Sequence, residues 1–141
     1  MASYNKFQQF SEDLAEKVHN LGSDTLKVML TNVAPVNTNS IKANLTEISA
    51  GSGYSAGGTA PTISASAQAS GTYKLTLADV IFTASGGAVG PFRYAVLYND
   101  TPTSPADPLI AWWDYGSSIT LADGETFTAD FDATTGALTL A

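Results

Sequence analysis

The sequence predicts an all-β protein: an antiparallel β-sandwich, jelly-roll-like, of seven to nine short strands with one N-terminal amphipathic helix. Three observations carry this prediction. From Asp24 onward apolar residues recur at every second position in run after run. The runs are separated by clusters of Gly, Pro, Asn and Ser that act as turns. Helical spacing occurs convincingly once, near the N-terminus. A chain of 141 residues that is 44% hydrophobic can fill one core, so the expected organisation is a helical arm over residues 1–22 and a single sandwich domain over residues 23–141.

The helix is predicted from Phe7, Phe10, Leu14, Val18 and Leu21, spaced three or four apart with Glu12, Asp13, Glu16 and Lys17 between them. Gly22 is placed to end it. Its apolar stripe either covers an edge of the chain's own sheet or packs on a neighbouring copy. Leu26, Val28 and Leu30 then alternate as a half-buried strand, and NVAPVNTN (32–39) reads as a loop. Residues 41–48 are a weak extended candidate that runs into the glycine-rich GSGYSAGGTAP. TISASAQAS is expected as a strand with thin side chains.

The second half carries stronger patterns. In TYKLTLADVIFTAS the parity slips between Leu77 and Val80, which predicts a β-bulge or bend near Ala78-Asp79. Phe92, Tyr94, Val96 and Tyr98 alternate with Arg93, Ala95 and Leu97, and are expected to share one core face. NDTPTSPADP (99–108) holds three prolines and must be an exposed loop. Leu109, Ala111, Trp113 and Tyr115 alternate with Ile110, Trp112 and Asp114. Two further short strands around Ala122-Asp123-Gly124 read as a hairpin, and ATTGALTLA as a last strand or a frayed tail.

Composition narrows the function classes. There are no cysteines, so disulfides, thiolate metal sites and cysteine nucleophiles are excluded. No apolar run reaches the roughly 20 residues of a membrane span, and the N-terminus lacks the order of a signal peptide. Synthesis in the cytoplasm without membrane association is the expectation. The formal charge is -7 and unevenly placed: all six bases lie between Lys6 and Arg93, while Tyr94 onward holds seven acids and none. Phosphate-backbone binding requires clustered positive charge, so no nucleic-acid partner is expected.

Motifs for chemistry fail on their context. Gly53-Tyr54-Ser55-Ala56-Gly57 matches G-x-S-x-G, yet no helix follows it and the only histidine, His19, lies upstream. His19 by itself cannot make a metal site, and a solvated place near the helix end is expected for it. Asp123, Glu125, Asp130 and Asp132 could gather around calcium. Asp130 and Asp132, however, share a strand face with Thr128, opposite Phe127, Ala129 and Phe131, which reads as an ordinary wet face. No catalytic residue, cofactor or metal is assigned, and the chain is not expected to be an enzyme. The rings remain: adjacent Trp112 and Trp113 must point to opposite faces of a strand, so each needs its own cover.

DTLKVMLTNVAPV, LTEISAGSGYSAGG, VGPFRYAVLYND and PLIAWWDYGSSITLADGETF together resemble a family of small virion structural proteins of tailed bacteriophages, from about Asn5 to Phe131. The resemblance implies a virion component and carries no catalytic signature. Size and fold class then point to a capsid decoration, or cement, protein on the outer capsid surface, a homotrimer whose partner is the major capsid protein. A tail, neck or fibre-tip component is the alternative within the virion. A carbohydrate-binding module with Trp112, Trp113 and Tyr115 as its stacking platform is the alternative from another class. For the contact with the shell, the candidate interface residues are Phe7, Phe10, Leu14, Val18, Trp112 and Trp113.

Overall fold

The structure, a computed structural model, describes residues 3–141. It is an all-β sandwich with one short helix. In chain order the elements are β1 (Asn5–Lys6), α1 (Gln9–Ala15), β2 (Leu26–Thr31), β3 (Ile63–Ala69), β4 (Thr72–Leu77), β5 (Val80–Thr83), β6 (Val89–Asn99), β7 (Leu109–Leu121), β8 (Thr126–Ala129) and β9 (Leu138–Leu140). A four-stranded sheet, β1-β7-β6-β2, forms one layer. A three-stranded sheet, β3-β4-β9, and a two-stranded ribbon, β5-β8, supply strands to the other, and every pairing is antiparallel.

The centre of the large sheet is buried on both faces. Its inner face sends Leu26, Val28 and Leu30 of β2, and Ala95 and Leu97 of β6, into the main core, where Leu75, Leu77, Val80 and Phe82 meet them. On its outer face Met29, Val96, Tyr98 and Leu109 form a second core with Phe7. Loops cover that second core. Tyr98 Oη donates to the Gly57 carbonyl (2.6 Å), and Leu45 packs on the same cluster; Tyr54, of the same glycine-rich loop, enters the main core, its Oη accepting from the Leu30 N–H (3.0 Å) and donating to Glu47 (2.7 Å). Gly58 lies so close that a Cβ there would stand 1.9 Å from the Val28 carbonyl oxygen.

Several expectations are corrected by this arrangement. Phe92, Tyr94, Val96 and Tyr98 do not share a face: Val96 and Tyr98 enter the outer core and Phe92 the main one. The reason is an irregular register in which Tyr94 pairs with Asp114 but Phe92 with Ile119, so that Tyr115 to Ser118 bulge out of β7. Of the bulge or bend expected near Ala78-Asp79, the structure has the bend: the strand breaks there, the chain passes from β4 to β5 in another sheet, and Leu75, Leu77, Val80 and Phe82 all stay in the main core. Strands β7 and β8 do not form a hairpin either, since β8 pairs with β5 and the Ala122–Gly124 turn carries the chain around a corner. The weak candidate at 41–48 contains a single 3-10 turn at Lys42–Asn44 with isolated bridges at Ile41 and Glu47.

The N-terminal segment packs on the chain's own sheet. β1 pairs with β7, and α1 is half the length its apolar stripe predicted. Lys17, and not Gly22, ends the helix. It adopts a left-handed backbone (φ 69°), with Val18 N–H bonding Asp13 carbonyl (2.8 Å) and Lys17 N–H bonding Leu14 carbonyl (3.4 Å), the pattern of a Schellman cap. A Cβ is strained in that conformation. Lys17→Gly is therefore expected to raise stability by about 0.5–1 kcal/mol in urea denaturation; a loss of stability would contradict the cap.

Candidate functional site

Where the large sheet turns toward the β5-β8 ribbon, the chain leaves a groove of about 550 Å3. Such a volume lies within the range of small-ligand sites. Trp113 and Tyr115 of β7 reach it from one side, Phe127 of β8 and Phe131 from the other, and Tyr4 closes one end. The rings meet edge to face: Trp113 with Phe131 at 5.4 Å and with Tyr4 at 5.9 Å, and Tyr115 with Phe127 at 5.7 Å between centroids. Tyr115 is 55% exposed, because the bulge in β7 lifts it away from the core.

The polar groups around the rings are arranged by the same two strands. Arg93 of β6 binds Asp114 of β7 through both carboxylate oxygens, Nε to Oδ1 at 2.8 Å and Nη2 to Oδ2 at 3.0 Å. Its guanidinium lies 5.5 Å from the Tyr94 ring centroid. Arg93 first, and then the Gly116 N–H, hold the Asp114 carboxyl below the ordinary aspartate range. Asp130 and Asp132 line the groove as well. Asp130 is exposed, whereas Asp132 accepts from the Thr134 N–H (2.7 Å) and is held below the ordinary range by the backbone donors of its turn.

The six expected interface residues separate. Phe7 is fully buried against Trp112, at 4.6 Å between ring centroids, so both belong to the outer core. Phe10 is buried in the main core. Leu14 and Val18 are half-buried at the rim of a second depression, beside Tyr73 and Leu140. Only Trp113 reaches the groove. The two tryptophans do take opposite faces of β7. Sequence reasoning missed Tyr4, Phe127 and Phe131 as groove residues; the one signal for the site was Gly116-Ser117-Ser118, a break in the apolar alternation directly after Tyr115.

The other candidates have structural roles. Tyr54 of the G-x-S-x-G segment is buried, and Glu47 binds both its hydroxyl and the Gly57 N–H (2.6 Å). Asp123 accepts from the Gly86 N–H (2.9 Å) and Glu125 from the Ala122 N–H (2.7 Å), so these carboxylates serve separate turns. His19 is buried, not solvated. Asn99 donates to Asp24 (2.7 Å) and reaches His19 Nδ1 (3.0 Å), while its own carbonyl oxygen accepts from the Thr101 N–H (3.1 Å). With the amide oriented this way, Nδ1 accepts and the ring proton sits on Nε2.

Two outcomes follow from these charges. Burial lowers the His19 pKa, against the pull of Asp13 and Asp24, so the ring folds in as neutral while the unfolded chain takes up a proton near pH 6.5. Stability from this group is present above that pH and is lost as pH falls toward the folded value. The urea midpoint is expected to drop between neutral and mildly acid pH, and His19→Gln to flatten the drop; an unchanged slope would remove the assignment. In an NMR titration Asp114 is expected to ionise below the ordinary aspartate range and to return toward it in Arg93→Gln. No family model, curated protein or solved structure matches the chain.

Proposed function

We propose that this chain is a structural component of a tailed-phage virion, a decoration protein that attaches to the outer capsid surface as a trimer and stabilises the shell. The observation that carries this reading is the open aromatic groove at the Trp113–Tyr115 corner. Aromatic side chains are the usual anchors of protein interfaces, and here they form the rim of the main core, with Trp113 and Phe127 half-buried against it and Tyr115 exposed. The sequence blocks that resemble small virion proteins include the segment that builds this groove.

Attachment would work through repetition. A shell offers many equivalent sites, and a trimer that engages several at once gains effective concentration at each further contact. The acidic final third of the chain favours a positively charged partner surface, which makes binding sensitive to salt. Phe7, Phe10 and Trp112 contribute by holding the sheet together, and the anchoring role passes from them to Trp113 and Tyr115.

Mixing the purified protein with empty capsids of the phage that carries this gene, and pelleting the particles, tests the reading. Saturation at hundreds of copies per shell, with release as salt rises, is the expected result. Saturation at six to a few dozen copies would move the protein to the tail or neck. Light scattering on the free protein reads the trimer directly.

A further inference from the structure

We infer that the groove between β7 and β8 is a receptor for an arginine or lysine side chain from a basic segment of the partner protein. This deepens the shell-attachment reading and rests on it for the partner's identity.

Three features of the groove select a cation. Five aromatic residues line it, Tyr4, Trp113, Tyr115, Phe127 and Phe131, and an aromatic ring attracts a cation to its face. The carboxylates of Asp130 and Asp132 lie beside those rings, so a side chain with an apolar stem and a cationic head would match both. Arg93 is the one cation among the lining residues, and both oxygens of Asp114 already hold it, which leaves the groove without a free positive group for an anion. The described residues show the same chemistry elsewhere, in Lys42, which pairs with Glu47 and lies 6.0 Å from the Tyr98 ring centroid, and in Arg93. Arg93 sits on a carboxylate and beside the Tyr94 ring, the combination that the groove offers to an incoming side chain.

A second copy of the chain is a poor occupant. Its only arginine is Arg93. Lys27 and Lys42 pair with Asp100 and Glu47, at 3.3 and 3.2 Å, and Lys74 donates to the Thr134 carbonyl at 3.0 Å. Lys6 bonds Ser11, and Lys17 sits in the helix cap on the rim of the other depression. A different protein with a basic segment supplies the cation in this reading, and a second copy is the competing occupant.

The test titrates the full chain with capped Gly-Arg-Gly, capped Gly-Gln-Gly and the neutral sugar cellotetraose, following the Trp113 indole and Tyr115 ring signals by NMR. Gly-Arg-Gly is expected to bind with shifts at both residues, and to weaken as salt rises. Tyr115→Ala should weaken it about tenfold, and Asp130→Asn severalfold. Both side chains are exposed, so the fold is retained, and the unchanged core signals verify it. Equal binding of the glutamine peptide, no binding of either, or saturation by cellotetraose alone would overturn the inference. The same variants in the capsid assay separate the two proposals. Capsids that pellet wild type and both variants alike would remove the groove from the contact while leaving shell attachment standing. Arginine binding without capsid binding would do the reverse.

Discussion

The rest of the structure depends on a sheet whose centre, β2 with the second half of β6 and the start of β7, is covered on both faces. β6 and β7 run through the middle of the molecule, with the smaller sheets against one side and loops against the other. Every residue in the segment Ala95–Asn99 is therefore buried; Ala95–Tyr98 is apolar or aromatic on both parities, and Asn99 is buried with its side chain hydrogen-bonded. That constraint turns each register irregularity into a choice between two cores. Tyr98 pairs with Leu109 while Leu97 pairs with Ala111, so Ile110 is unmatched and joins Ala111 on the inner side. Alternation then resumes, with Trp112 facing outward under Phe7 and Trp113 inward toward the ribbon.

The loops that close the outer core are therefore structural. The glycine-rich segment after Ile48 lies against the free edge of β2, where Val28 and Thr59 exchange two backbone hydrogen bonds (2.8 and 3.0 Å). An open strand edge invites pairing with other chains, and this one is covered. The close approach at Gly58 explains the choice of residue there. A segment that resembles a nucleophile elbow thus serves as a strap, with Tyr54, Glu47 and Lys42 linking it to the sheet and to the 3-10 turn.

The groove arises from the mismatch between a long strand and a short partner sheet. β7 extends past its regular pairing with β6, bulges at Tyr115–Ser118, and turns at Ala122–Gly124 to deliver β8 to a different sheet. The corner leaves space that no side chain of the described residues fills, and it collects rings because both strands carry aromatic residues there. Its charge follows from chain position, since most of its lining comes from the segment that contains no Lys or Arg.

The sequence by itself determined the class of fold, the absence of thiol chemistry, the acidic final third and the opposite orientation of Trp112 and Trp113. These depend on composition and on the two-residue period of a strand, which are local properties. The thin strand at residues 63–69 and the proline loop before Leu109 were legible for the same reason. Which strands pair, where the parity resets and how far the helix runs were decided by tertiary structure. An alternating run does not record which of two buried faces it enters, so Phe92 read as a companion of Val96 until its pairing with Ile119 separated them. The helix stripe was read correctly as apolar, but β1 drew Phe7 into the sheet and a left-handed Lys17 ended the turn early. The groove was the least legible feature, because its walls come from four separate stretches of chain and only packing brings them together.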